Sequence, residues 1–222
     1  MSIISNINEV KKKLDGCQLI AVSKTKPKED ILAAYEGGQR AFGENKVQEM
    51  ADKADALPKD IQWHMIGHLQ RNKVKYIVPF VHLIHSVDSV RLLKEINKQG
   101  EKIERVVPVL LQMHIAEEDT KFGLDENELH ELLTSEEFKN MNFIEVQGLM
   151  GMATFTEDKE KIRREFKFLK KIFDKVTSQF NDEKLNLKEL SMGMSGDYPI
   201  AIEEGSTMVR VGSAIFGERN SN

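Results

Sequence analysis

The sequence predicts an α/β protein folded as a single (β/α)8 barrel. Three observations carry that expectation. Eight strand-length apolar runs alternate with segments of helical period, the rhythm of repeated βα units. The 222 residues contain no long linker, low-complexity tract or break in composition, and eight such units in about this length fit one barrel. The competitor, a doubly wound open sheet, needs fewer strands and, for a dinucleotide, a G-x-G-x-x-G after the first strand, which is missing there.

The elements follow in order. Ile3, Ile4, Ile7, Val10 and Leu14 recur every three or four residues behind the polar caps Ser5 or Asn6, so the chain opens on an extra amphipathic helix that plugs or flanks the N-terminal end of the barrel. Residues 18–24 form the first strand. Pro27, followed by Lys28, Glu29 and Asp30, starts a helix that stops at Gly37-Gly38. A short strand over 40–45 precedes a helix over 47–57, and a strand over 62–67 precedes a helix over 70–78 that Pro79 ends. The fourth strand spans 82–88 and its helix 89–99, closed by Gly100. The most apolar segment, 105–115, carries Pro108 near its start and leads through a charged loop, 116–122, to a helix over 126–133. A strand over 143–152 holds Gly148 and Gly151, and the longest helix spans 158–180. Strands over 187–194 and 208–216, joined by a short helix around Ala201, complete the count; every strand but the last has a helix after it.

Composition excludes several classes. A hydrophobic content of 40% and a charged content of 31% describe a globular protein able to bury a full core. No run approaches the ~18 apolar residues that cross a bilayer, and the N-terminus has no basic region leading into an apolar one, so neither a membrane span nor a signal peptide is expected. The one cysteine, Cys17, allows no internal disulfide, and the six histidines show no ligand spacing with it, so the expectation is a cytoplasmic protein without a metal. Net charge is −4; Gln70-Arg71-Asn72-Lys73-Val74-Lys75 is basic but has no interleaved aromatics, and reads as a solvated helix face rather than a nucleic-acid surface.

In a barrel the chemistry sits at the C-terminal ends of the strands. Leu19-Ile20-Ala21-Val22 delivers Lys24 to such an end. A lysine partly withdrawn from water offers a neutral amine for a Schiff base with an aldehyde; the plain alternative is a surface lysine behind a core strand. The ends of the last two strands, Met192-Gly193-Met194-Ser195 and Arg210-Val211-Gly212-Ser213, are rich in Gly and Ser, and barrels commonly bind phosphate there with backbone N–H groups, hydroxyls and a short helix. Either cluster alone could simply turn the chain. Together they face the same mouth as Lys24, and a phosphate that carries an aldehyde uses both, with pyridoxal 5′-phosphate (PLP) the leading candidate. Arg210 would then lie near the pyridine ring, where it can donate a hydrogen bond but no proton; the alternative is a structural pairing with a barrel carboxylate.

The stretches Val22 to Pro27, Phe42-Gly43-Glu44-Asn45, Trp63 to Lys73, Gly148 to Met152, Leu190 to Ser195 and Gly205 to Gly217 closely resemble the YggS/PROSC family, the pyridoxal phosphate homeostasis proteins. The resemblance runs in order over residues 18–217. It implies a TIM barrel like the N-terminal domain of alanine racemase, with PLP as a Schiff base on Lys24. It further implies a phosphate held by Ser195 and the Gly212-Ser213 backbone, Arg210 at the ring nitrogen, and Asn45 and Met150 lining the cofactor.

Two functions compete on these residues. A PLP-dependent racemase of the alanine racemase type needs a second acid/base, which those enzymes draw from a tyrosine on a separate β-domain. This sequence ends soon after its eighth strand, and of Tyr35, Tyr76 and Tyr198 only Tyr198 stands near the mouth; His64 or His85 are the other candidates, though a strand histidine is more often packed than catalytic. A carrier or buffer that holds PLP, and passes it to PLP-dependent apo-enzymes, needs only the lysine, the phosphate cradle and an open mouth. The expectation is therefore a non-enzymatic, monomeric PLP-binding protein with no catalytic residue. A Schiff-base aldolase is a third class, but it typically sets its lysine on a middle or late strand.

Overall fold

A computed structural model describes residues 2–118 and 122–218. Eight parallel strands close into one barrel in chain order: β1 (Gln18–Val22), β2 (Ala41–Glu44), β3 (Gln62–Met65), β4 (Leu83–Val87), β5 (Val107–Gln112), β6 (Ile144–Met150), β7 (Leu185–Met194) and β8 (Met208–Val211). Around them stand α1 (Ile3–Lys11), α2 (Lys28–Glu36), α3 (Val47–Ala56), α4 (Val90–Lys102), α5 (Glu126–Thr134), α6 (Glu136–Lys139), α7 (Lys159–Gln179), α8 (Tyr198–Glu203) and α9 (Ser213–Phe216). Residues 119–121 of the expected charged loop lie outside the described residues.

Local chemistry sets the helix starts. Ser2 caps α1 by accepting from the Ser5 N–H, Asp125 and Glu128 cap α5 reciprocally, and Asp158 caps α7. Pro27 stands just before α2 in extended backbone, with Glu29 and Asp30 in the first turn against the positive end of the helix. α1 packs against α2 and α9, and Asn6 donates to the Ile215 carbonyl at 2.9 Å, so the extra helix flanks the barrel wall.

Side chains alternate across the strands and divide the core. Outward residues such as Phe42, Trp63, Val109, Val146 and Val209 join helix residues such as Ile31, Leu93, Phe166 and Leu169 in one cluster; Leu83, Leu110, Met150 and Met208 form a second inside the barrel. Each fully buried side chain of the Phe166 kind contributes ~1.5–3 kcal/mol.

Four expectations need correction. Ser5 and Asn6, expected as caps of the first helix, lie inside α1, which Ser2 caps. The segment expected as a helix over 70–78 is a 3-10 helix, Arg71–Tyr76. Gly100 does not close α4, which runs on to Lys102. A Cβ at Gly100 would lie 2.6 Å from the Arg105 carbonyl oxygen and 3.0 Å from that of Phe143, so the glycine serves close packing of the helix rather than its stop. The last strand ends at Val211, not at 216: Gly212 turns the backbone out of the extended region (φ −120°, ψ −71°), and α9 follows. The sequence also gave no sign of α6, whose start Ser135 caps.

Candidate functional site

β1 lies between β2 and β8, with Val22 opposite Gly43 and Ala21 opposite Val211. Beyond Val22 the chain turns, and half-buried Lys24 sits in that turn. Its neighbours are clamped. Ser23 donates from Oγ to Glu44 Oε1 at 2.9 Å, and its carbonyl accepts from Lys53 Nζ at 2.8 Å. Thr25, held in the left-handed region at φ +64°, donates its N–H to Glu49 Oε1 at 2.6 Å. Lys53 also donates to Glu44 at 2.6 Å and to Glu49 at 2.7 Å, so its three ammonium protons are all used. Burial of Glu44 outweighs the lysine and serine bonds and pushes its carboxyl up to about 7. Sequence reasoning missed this clamp; its one local signal is the i,i+4 spacing of Glu49 and Lys53 on α3.

At the other side of β1, glycines bring the ends of β7 and β8 together. Gly193, at φ +104°, lets β7 approach α8: a Cβ there would come within 2.7 Å of the Ala201 Cβ. A Cβ on Gly212 would press on Val22, with its Cβ at 3.2 Å and its carbonyl oxygen at 3.3 Å. Ser195 Oγ accepts from the Gly212 N–H at 3.1 Å and keeps its own proton to donate. Gly212 therefore acts here through its partner Ser195. Exposed Ser213 opens α9, whose first N–H groups have no carbonyl within the helix to bond. A small anion at this corner would meet hydroxyl and amide donors next to the Lys24 strand.

Arg210 lies between these parts. Its strand position is opposite Ile20 of β1 and Met194 of β7, and only 3% of it is exposed. Nη2 donates to the Gly151 carbonyl at 3.2 Å and Nη1 to Ser191 Oγ, and no ion pair holds it among the described residues, which sets aside the carboxylate pairing. Burial brings its pKa down to about 10, against the opposing effect of the Asp197 charge, so it remains a cation at neutral pH. Ser191 also bonds His85, which bonds His64, and both histidines are fully buried.

The remaining predicted residues take separate places. Met150, fully buried, sits opposite Gln112 and Ser191 at the end of β6 and belongs to the barrel interior. Asn45, half-buried, follows β2 and packs under Gly67, where a Cβ would fall 2.5 Å from the Asn45 carbonyl oxygen. Tyr198 is buried in the outer cluster at the start of α8. Lys24, Ser195, Arg210, Gly212 and Ser213 thus gather at three adjoining strand ends, flanked by Asn45 just after β2 and Met150 on β6. A lysine, a hydroxyl and amide corner and a buried guanidinium without a carboxylate fit a phosphorylated aldehyde with an acceptor on its ring.

The family described as alanine racemase, N-terminal domain, matches residues 1–220. A pyridoxal phosphate homeostasis protein of Aquifex aeolicus (strain VF5) is 41% identical over 203 residues, 91% of this chain and 87% of that protein. PipY of Synechococcus elongatus PCC7942, in a structure with PLP bound, is 34% identical with a TM-score of 0.86, over 97% of this chain and all of that one. Alanine racemase from Bartonella henselae shares only 16% identity at a TM-score of 0.73, over 99% of this chain and 60% of its own, and shows likeness of fold alone. The chain belongs to the pyridoxal phosphate homeostasis proteins, a family with the alanine racemase N-terminal domain.

Proposed function

We propose that this protein binds pyridoxal 5′-phosphate at Lys24 and serves PLP homeostasis as a carrier or buffer. The observation that carries the reading is the meeting of Lys24, the Ser195–Gly212 corner and an Arg210 without a carboxylate on three adjoining strand ends. The PLP held by PipY and the naming of the relatives support it. When bound, PLP supplies an aldehyde carbon for a lysine amine and a ring that draws electrons. The residues of this chain hold rather than transform it. The Ser23 and Thr25 contacts fix the lysine turn, and Ser195, Ser213 and the start of α9 supply phosphate donors. Arg210 offers the ring nitrogen a hydrogen bond but keeps its proton at neutral pH, which weakens the electron sink a racemase needs.

The histidines do not offer a second base. His64 and His85 bond each other at 2.8 Å in the interior, and burial lowers the pKa of both, that of His64 to about 3. In this reading the protein works as a monomer in the cytoplasm, and PLP-dependent apo-enzymes receive the cofactor.

Absorbance tests the core of the proposal. Protein mixed with PLP should develop a visible band and carry the cofactor on Lys24, and Lys24→Ala should lose both; an unchanged band in the variant would overturn the assignment. Rapid exchange of solvent deuterium into the Cα of amino acids by loaded protein would overturn the carrier in favour of the racemase. Equal reactivation of an apo-enzyme by loaded protein and by free PLP would refute directed delivery.

A further inference from the structure

We infer that Ser191, His85 and His64 form a buried, directional hydrogen-bond string that positions Arg210 as a donor towards the cofactor ring. The inference rests on the proposed PLP site, because the ring is what Arg210 would meet. The string crosses the barrel. His85 on β4 and Ser191 on β7 are on strands that are not neighbours, yet His85 Nδ1 lies 2.8 Å from Ser191 Oγ. On one side His85 Nε2 lies 2.8 Å from His64 Nδ1 of β3; on the other, Ser191 Oγ meets Arg210 Nη1 of β8. His64, His85 and Ser191 are wholly buried, so no solvent competes for these bonds.

Counting protons gives the direction. A guanidinium only donates, so Ser191 accepts from Arg210. The Ser191 hydroxyl proton then has one neighbour among the described residues able to take it, His85 Nδ1. If Ser191 donates to Nδ1, His85 carries its proton on Nε2 and donates to His64 Nδ1, which leaves the His64 proton on Nε2. Of the polar side-chain atoms in the string, only that last one lacks a partner among the described residues. Reversed, the string would leave a second buried group unsatisfied, the Ser191 proton, and desolvated donors of this kind are rare. The direction is thus set by the one member that cannot accept.

The string also stays neutral. A proton added to His85 would put an imidazolium one hydroxyl away from the Arg210 guanidinium in a dry interior, and burial together with His64, Arg210 and His82 opposes it. Arg210 therefore receives an acceptor from Ser191 and another from the Gly151 carbonyl, both of them neutral. Two points of contact fix the plane of the guanidinium, and its remaining N–H groups are left to aim at a ring acceptor. Ser191, His85 and His64 touch no reacting atom in this scheme and act through Arg210.

Nitrogen NMR of histidine-labelled, cofactor-free protein tests the direction without any variant. Both imidazoles should be neutral Nε2–H tautomers between about pH 5 and 9. An Nδ1–H tautomer at His85, or titration of either ring in that range, would overturn the string. In PLP-loaded protein, Ser191→Ala should shift the visible band and weaken PLP retention by about tenfold, the loss of one hydrogen bond, while Ser191→Thr restores both. An Ala variant that keeps the wild-type band and affinity would refute the positioning role. If wild-type protein takes up no PLP on Lys24, the functional proposal fails by itself and the tautomer measurement still decides the string.

Discussion

Glu44 should make the stability of the cofactor-free protein depend on pH in a way that one substitution removes. The carboxyl is fully buried, with Lys53 at 2.6 Å, yet its pKa is raised from 4.5 to about 7 because desolvation outweighs the pairing. A carboxyl whose folded value exceeds its unfolded value favours folding fully below the unfolded value, and that contribution is lost as the pH rises through the folded one. Moving a carboxyl from 4.5 to about 7 is worth about 3 kcal/mol, most of which falls between pH 5 and pH 8. Glu44→Gln keeps an acceptor for Ser23 and Lys53 but cannot titrate. Urea unfolding of both proteins should show wild type gaining about 2–3 kcal/mol more than the variant on acidification from pH 8 to pH 5. Parallel stability profiles would refute the reasoning and show that Lys53 holds Glu44 ionised across the range.

Two further substitutions probe the frame of the site. Lys53→Met leaves Glu44 and Glu49 without their buried cation and should cost about 3–5 kcal/mol in denaturant unfolding, with the loosened turn slowing attachment of PLP to Lys24 followed by absorbance. Gly148→Ala should prevent barrel closure, seen as loss of soluble protein or of a cooperative melt, because the glycine sits at φ +154° with a Cβ position 1.7 Å from the Glu189 carbonyl oxygen. Gly196→Ala, with nothing within 4 Å and no positive φ, is the matched control and should change stability by less than about 1 kcal/mol.

The barrel was legible in the sequence because its information is local: buried parallel strands read as continuous apolar runs, and helices read as a period of 3.6. That Lys24, Ser195 and Gly212 share one end of the barrel was legible because the strand count sets which turns lie together, while the lysine and each glycine-serine turn are too common to mark a site alone. The extent of β8 was not, since Val211 to Phe216 is apolar on both sides of Gly212 and only the backbone shows the turn. Lys53 and Glu49 read as an ordinary exposed helix pair, and their task depends on Glu44 and Ser23 arriving from other strands. Ser191 gave no signal: one small polar residue in a strand acquires meaning only when barrel closure sets it between His85 and Arg210.

The two buried cations near the mouth are treated in opposite ways, and the contrast bears on function. Lys53 bonds two carboxyl groups, Glu44 and Glu49, and the Ser23 carbonyl, so all three of its protons are taken within the chain alone. Arg210 is at least as deeply buried but bonds neutral acceptors only, with the Asp197 charge near it and not ion-paired to it, and a buried charge without an ion-pair partner is costly unless something else completes it. A carboxylate next to Arg210 would complete it within the protein, but it would also pull the guanidinium away from the ring. The neutral string keeps Arg210 oriented and leaves its charge for the ligand. The support of the lysine turn is finished within the chain, whereas Arg210 keeps N–H groups that an acceptor on a ligand ring would meet.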